Sequence, residues 1–197
     1  MATNNKLSKQ LEFIIEIDKL KQVYRQSFLT CAPRHENDAE HSWHLAVMAM
    51  LLAEHAESSV DVLKVIKMVL IHDIIEIDAG DTYCYDEVAG LDKAEREQKA
   101  AARLFYILPA RQAEDLNNLW EEFEARQTPE ARFAAALDRL QPLILNYLTQ
   151  GKSWQAHGIT SEQVLKRNRH IGDSSPDLWG YAEAIIEDAV AKGYLAR

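Results

Sequence analysis

Between positions 60 and 77 the chain reads Val60-Asp61-Val62-Leu63-Lys64-Val65-Ile66-Lys67-Met68-Val69-Leu70-Ile71-His72-Asp73-Ile74-Ile75-Glu76-Ile77. Val62, Val65, Ile66, Val69, Leu70 and Ile74 recur at intervals of three and four, the spacing of one helix face. Most of the intervening positions are also apolar, so the stretch predicts a helix from Val60 to Ile77 at the centre of a bundle. His72-Asp73 falls near the end of that helix. An imidazole and a carboxylate among so many aliphatic side chains cost free energy unless each finds a partner.

The same period extends in both directions. Leu11, Ile14, Ile15, Ile17 and Leu20 form one stripe, and Leu45, Met48, Leu51 and Leu52 another. Further along come Leu116, Leu119, Trp120 and Phe123, then Phe133, Leu137, Leu140, Ile144 and Leu148, then Leu178, Tyr181, Ile185 and Val190. Helix boundaries punctuate them. Thr128-Pro129-Glu130 and Ser175-Pro176-Asp177 read as N-cap, first-turn proline and acid. Thr160 with Gln163 fits a capping box, and Gly151 and Gly193 sit where helix C-terminal glycines belong. No segment alternates with period two between turn signals. The expected fold is therefore all-α, a compact single-domain bundle of about seven or eight helices spanning 1–197, with a long loop at 79–91.

Composition agrees. A length of 197 residues suits one domain, and 7 Gly with 5 Pro is low for an all-β fold. Lys and Arg number 22 against 31 Asp and Glu, a net charge of -9, which argues against a nucleic acid polymer as partner. Cys31 and Cys84 provide no disulfide framework. The start Met-Ala-Thr-Asn-Asn-Lys has no apolar leader, and no apolar run approaches the ~20 residues of a membrane span. The expectation is a soluble, cytoplasmic protein with no membrane partner.

Chemistry resides in the residues that interrupt the stripes. Glu76 follows His72 by four positions and can share its side of the helix. His41 and His44 lie one turn apart at the start of the preceding helix. Asp138 lies within Ala134-Ala135-Ala136-Leu137-Asp138-Arg139-Leu140. Imidazoles and carboxylates from three buried helices are the donor set of a divalent metal site inside a bundle. A His-Asp pair hydrogen-bonded into the core is the plainer alternative for His72 and Asp73. Trp43, Trp120, Trp154 and Trp179 read as packing residues; His55, His157 and His170 fall in polar contexts, and His35 in a loop near the site.

The order and context of these residues resemble the HD-domain metal-dependent phosphohydrolases. The resemblance is carried by Glu36-Asn37-Asp38-Ala39-Glu40-His41-Ser42, by His72-Asp73-Ile74-Ile75-Glu76 followed by Gly80-Asp81, and by Asp138-Arg139-Leu140. It runs from about residue 20 to 142 and is nearest to the small single-domain 5'-deoxynucleotidase branch. It implies His41, His72, Asp73 and Asp138 as ligands of one divalent ion, whether manganese, cobalt, iron, zinc or nickel. It implies Glu76 and Asp81 as the acids that position water and move protons, without deciding which does which. Arg25 resembles the family's phosphate-binding arginine; a surface arginine on the first helix is the other reading. Arg34 is a second phosphate-clamp candidate, and His44 is expected to face the substrate or orient a ligand.

The implied substrate is a small phosphomonoester, foremost a nucleoside 5'-monophosphate, the 2'-deoxy forms included. At Gln26 the chain departs from the branch, whose aromatic there crowds the sugar, so 2'-deoxy selectivity is not implied. A triphosphate, cyclic or non-nucleotide ester, and a non-catalytic metal- or nucleotide-binding helical protein, are the alternatives. Relatives in the branch imply a homodimer. Leu178, Trp179 and Ile186 could serve its contact or equally belong to the core.

Overall fold

The computed structural model describes residues 5–85 and 91–197. Residues 86–90 of the expected 79–91 loop lie outside the described residues.

The chain opens with α1 (Asn5–Glu16), a 3-10 segment (Ile17–Gln22) and two short antiparallel strands, β1 (Tyr24–Phe28) and β2 (His35–Asn37). Then follow α2 (Asp38–Leu52), α3 (Val62–Ile71), α4 (Glu76–Ala79), α5 (Lys93–Leu104) and α6 (Ala110–Ala125). The remaining helices are α7 (Pro129–Leu148), α8 (Lys152–Ala156), α9 (Ser161–Asn168) and α10 (Pro176–Ala191). Eight of these described helices have eight residues or more, in line with the expected number, and α4 and α8 are single short turns.

The caps form where the sequence placed them. Thr128, Thr160 and Ser175 each accept a hydrogen bond from the backbone N–H three residues on, and Gln163 completes its capping box. A second capping box, Asn37 with Glu40, starts α2. Tertiary packing centres on α7, whose Ala134, Ala135 and Ala136 are fully buried and let α2 and α3 approach closely. Pro142 inside α7 removes the N–H that would close on the Asp138 carbonyl, loosening the helix beside that residue. One apolar cluster gathers Leu45, Val65, Met68, Val69, Phe133 and Leu137; a second gathers Phe13, Ile74, Ile75, Leu104, Phe105 and Trp120. The His72-Asp73 turn sits where they meet.

Several expectations are corrected. The helix expected from Val60 to Ile77 stops at Ile71, and the chain tightens into three-residue turns, with Ile74 N–H donating to Ile71 and Glu76 N–H to Asp73. The His72 ring helps to end it, since Nδ1 lies 3.0 Å from the Val69 carbonyl and satisfies an acceptor the helix leaves open. Two strands form where none was expected. Arg25 is on β1 rather than on a helix, and His35 is on β2 rather than in a loop. The stripe on α1 faces outward: Ile14 and Ile15 are exposed, while Phe13 and Leu20 make the buried contact. Leu178 and Ile186 are core and Trp179 packs against it, so within this chain they form no free face. Trp43 is exposed rather than packed, and His170 is half-buried.

Gly151 follows α7 with φ +71°, and a Cβ there would lie 1.9 Å from the Tyr194 carbonyl oxygen. Left-handed strain and a backbone clash combine, so Gly151→Ala is expected to destabilise the fold by about 3 kcal/mol or more. Urea denaturation of the two proteins checks this; an unchanged midpoint contradicts it.

Candidate active site

The capping box fixes where α2 begins and so sets the azimuth of its first turns. Asp38 and His41, three apart, both point inward and are fully buried. The Asp38 N–H also donates to the Val23 carbonyl, tying the helix start to the strand pair. β1 and β2 pair at Tyr24–Asn37 and Phe28–His35, so β1 carries two residues more than its partner across that interval. The surplus bulges Arg25, Gln26 and Ser27 out of the ladder, and all three line the adjoining cleft.

The donors converge from three elements. His41 Nε2 lies 2.9 Å from Asp138 Oδ1, which is 3.5 Å from His72 Nε2. His72 Nε2 is 3.1 Å from Asp73 Oδ1 and buried without a hydrogen-bond partner. His41, His72 and Asp73 each offer a ligand atom within 4.8 Å of the others, as do Asp38, Asp73 and Glu76. Both ring tautomers follow from the partners. The Gln141 amide nitrogen lies 2.6 Å from Glu36 Oε1, so its oxygen faces His41 Nδ1 at 3.0 Å and requires a proton there. The Val69 carbonyl requires the same of His72 Nδ1. Each ring thus turns its Nε2 toward the carboxylates, and that is the nitrogen which would face a metal ion. His44 stands one step back: its Nδ1 is 3.2 Å from the Gln141 amide nitrogen.

Arg25 enters this cluster from the bulge. Its Nη1 donates to Asp73 Oδ2 at 2.8 Å and to Asp38 Oδ1 at 3.2 Å, and its Nη2 is 3.9 Å from Asp138 Oδ1. The charge balance splits the acids. Burial pushes Asp73 and Asp138 upward, but His72 and Arg25 at the first, and Arg139 with both imidazoles at the second, hold these carboxyls well below the usual range. Burial and Asp73 instead raise Asp38 to about 7 against the pull of Arg25, and burial with Asp73, Asp38 and Asp81 raises Glu76 well above its ordinary value. Asp81, placed just after the positive-φ Gly80, is also raised, chiefly by burial. Burial disfavours the His72 imidazolium, yet Asp73 and Asp138 overcome it and lift the ring to about 10.

His41, His72, Asp73, Asp138, Glu76, Asp81 and Arg25 are thus gathered around one centre. Arg34 is not: it is exposed and pairs with Glu40, the capping residue. Asp38 and Gln141 carried no role in the sequence reading. Asp38 sits in a helix first turn, where an acid has an ordinary explanation, and its inward spacing of three from His41 was the available signal. Gln141, three residues after Asp138, could have been found in the same way. Beside the cluster opens a cleft of about 1020 Å³, solvent included, walled by β1, α5 to α9 and the 81–85 segment.

This fold and cluster place the chain among known proteins. It belongs to the HD-domain family, whose pattern it matches over residues 17–179. It is similar to the 5'-deoxynucleotidase HDDC2 of Xenopus laevis, 31% identical over 135 residues, 68% of this chain and 66% of that protein. The human 5'-deoxynucleotidase HDDC2 is 28% identical over 135 residues, and there the chain spans 65% of the relative's length, just under two thirds. A solved structure described as a predicted metal-dependent phosphohydrolase from Magnetospirillum magnetotacticum MS-1 superimposes with a TM-score of 0.95, at 53% identity and full coverage of both chains. An HD-domain phosphohydrolase from Listeria innocua, 18% identical with a TM-score of 0.62 over 90% of this chain and 84% of that one, shares the fold.

Gln141→Leu removes the acceptor for His41 Nδ1 and the donor to Glu36 in one step. Stranding two buried polar groups is expected to cost about 1–3 kcal/mol, read as a lower urea midpoint. A midpoint equal to that of the unaltered protein would show the network to be energetically idle.

Proposed function

We propose that this chain is a divalent-metal-dependent phosphohydrolase that releases orthophosphate from small phosphomonoesters, foremost nucleoside 5'-monophosphates. One observation carries the reading: the Nε2 atoms of two imidazoles turn inward to meet the buried carboxylates of Asp73 and Asp138 at the wall of an open cleft. The donor set fits a divalent ion. His72 Nε2 is buried among carboxylates without a hydrogen-bond partner, and each ring's Nδ1 is committed to a neighbouring oxygen, which leaves Nε2 to exchange its proton for an incoming ion. His41, His72, Asp73 and Asp138 would hold the ion, and mixed imidazole and carboxylate donors suit manganese, cobalt, iron, zinc or nickel. When bound, it would supply Lewis acidity to the phosphoryl group and acidity to a water.

The protein's own groups do the rest. Arg25 has carboxylate partners but keeps a buried Nε without an acceptor, and it reaches the cleft from the bulge, where it can grip a phosphoryl oxygen. Glu76 and Asp81 line the same cleft with raised proton affinity. They can accept the proton of the attacking water and return one to the departing oxygen. Gln141, braced by Glu36 and His44, keeps the His41 ring oriented. The similarity to 5'-deoxynucleotidases supports a nucleotide substrate. Gln26, lining the cleft beside Arg25, is the side chain placed to meet the sugar.

The test is phosphate release from a panel of phosphate esters by protein stripped with chelator and reloaded with each metal in turn. Release is expected only with metal, and His72→Ala or Asp73→Ala should lose both the ion and the activity. Glu76→Gln is expected to retain metal stoichiometry while losing about 100-fold or more in rate. Metal-loaded protein inactive on the whole panel would overturn the reading.

A further inference from the structure

Beyond the metal cluster, the cleft has a second concentration of charge that the hydrolytic site does not use. Arg126 is the C-cap of α6 and adopts a left-handed backbone with φ 52°; Arg139 projects from α7, and Arg167 from α9. All three line the same cleft as His72, Asp73 and Asp138. They differ from the chain's surface arginines. Arg34 pairs with Glu40, and Arg103 with Glu16 and Asp78, whereas Arg126 and Arg167 have no hydrogen-bond or ion-pair partner among the described residues. Arg139 has one, Asp138 Oδ2 at 2.9 Å, a carboxylate already shared with both imidazoles. The Nε atoms of Arg139 and Arg167 are buried with no acceptor, and so is the hydroxyl of Tyr83 on the same wall.

Nearby acids do not cancel this charge. Glu97 pairs with Lys93 at 3.2 Å, and the field of Glu124 is felt by that same pair. The mutual repulsion registers in the neighbours. Burial, then Arg139 and Arg126, make the Arg167 cation less stable than usual, and burial, then all three arginines, depress the His170 imidazole. Half-buried cations that repel one another and lack acceptors are costly unless an anion joins them. Asp138 marks the division of the cleft: Oδ1 faces the imidazoles and Oδ2 faces Arg139.

We propose that Arg126, Arg139 and Arg167 form a second anion subsite, so that the preferred substrates are phosphomonoesters bearing another phosphoryl group. This rests on the phosphohydrolase reading above. A phosphoryl group presents up to two negative charges and several acceptor oxygens, the complement of converging guanidinium forks. The reaction keeps its form. Water oxygen bonds to the phosphorus at the metal cluster, the ester P–O bond breaks, the departing oxygen takes a proton, and the second phosphoryl group stays on the alcohol product. This is the course when the second group sits on a separate hydroxyl; when the two are joined through an anhydride, water oxygen bonds to the terminal phosphorus, the anhydride P–O bond breaks, the departing phosphate oxygen takes the proton, and the inner phosphoryl group stays on the nucleoside.

The experiment compares adenosine 5'-monophosphate, adenosine 3',5'-bisphosphate and adenosine 5'-diphosphate on the full-length, metal-loaded chain. At least one doubly phosphorylated compound is expected to exceed the monophosphate in kcat/KM by about tenfold or more, mostly through KM. The favoured compound tells the hydroxyl-borne arrangement from the anhydride. Arg167→Gln and, separately, Arg126→Gln should bring the ratio toward one, with Arg167→Lys restoring part of it. Calorimetric binding of the three nucleotides to metal-free protein supplies a readout without turnover, with the same preference expected and the same loss in the variants. Equal kcat/KM and equal binding for all three, unaltered by either substitution, would overturn the subsite and leave the hydrolase standing. If no compound is hydrolysed, the hydrolase reading falls and the binding comparison alone decides the subsite.

Discussion

The Arg25 guanidinium, two imidazoles and the carboxylates of Asp38, Asp73, Glu76, Asp81 and Asp138 share a small and largely buried volume inside a helical bundle, where one another's charge replaces most of the water they would have in solution. Arg25 bonds to Asp38 and Asp73, and Asp138 serves both rings and Arg139. This mutual neutralisation constrains the local structure around it. The helix before His72 has to stop so that the ring can face Asp138 while its other nitrogen serves the Val69 carbonyl. The first strand has to bulge so that Arg25 reaches inward. The capping box has to start α2 where it does so that Asp38 and His41 share one azimuth. Displacing any one of these groups leaves a buried charge without its partner, which costs several kcal/mol in typical cases.

The apolar frame meets that demand by being close-packed around the charges. Three consecutive alanines on α7 bring its backbone against α2 and α3, so Asp138 and Gln141 need only short side chains to reach His41. The two hydrophobic clusters hold opposite ends of the frame and leave the polar residues at their boundary, beside the cleft. Proton affinities then divide by position. Asp73 and Asp138, each against more than one cation, are held below the usual carboxylate range, while burial and then neighbouring acids raise Glu76, Asp38 and Asp81.

Much of this was legible in the chain itself. Helical periodicity, the Thr128, Thr160 and Ser175 caps and the buried Asp138 all read correctly, because each rests on local chemistry within a few residues. The gathering of His41, His72, Asp73 and Asp138 was anticipated from motif order. What escaped depends on contacts between distant segments. The break after Ile71 carries no glycine or proline and comes from a side chain capping its own helix. The bulge at Arg25 needs its partner strand to exist. The outward stripe on α1 has the same spacing as a core stripe, and only packing tells them apart. Arg34 read as a second and weaker candidate for the phosphate clamp, and Glu40, needed for the cap, holds it on the surface.

The bulged edge strand also bears on how such a site can change. Gln26 and Ser27 hang from a segment outside the regular ladder and belong to no helix, while the clustered imidazoles and their carboxylate partners sit mainly on α2, the turn after α3, and α7. Replacing the side chain at position 26 therefore alters what the cleft admits without repacking those elements. Variation at position 26 is thus separable from the helix-borne part of the cluster, and its one constraint is Arg25, the neighbour that reaches inward from the same bulge.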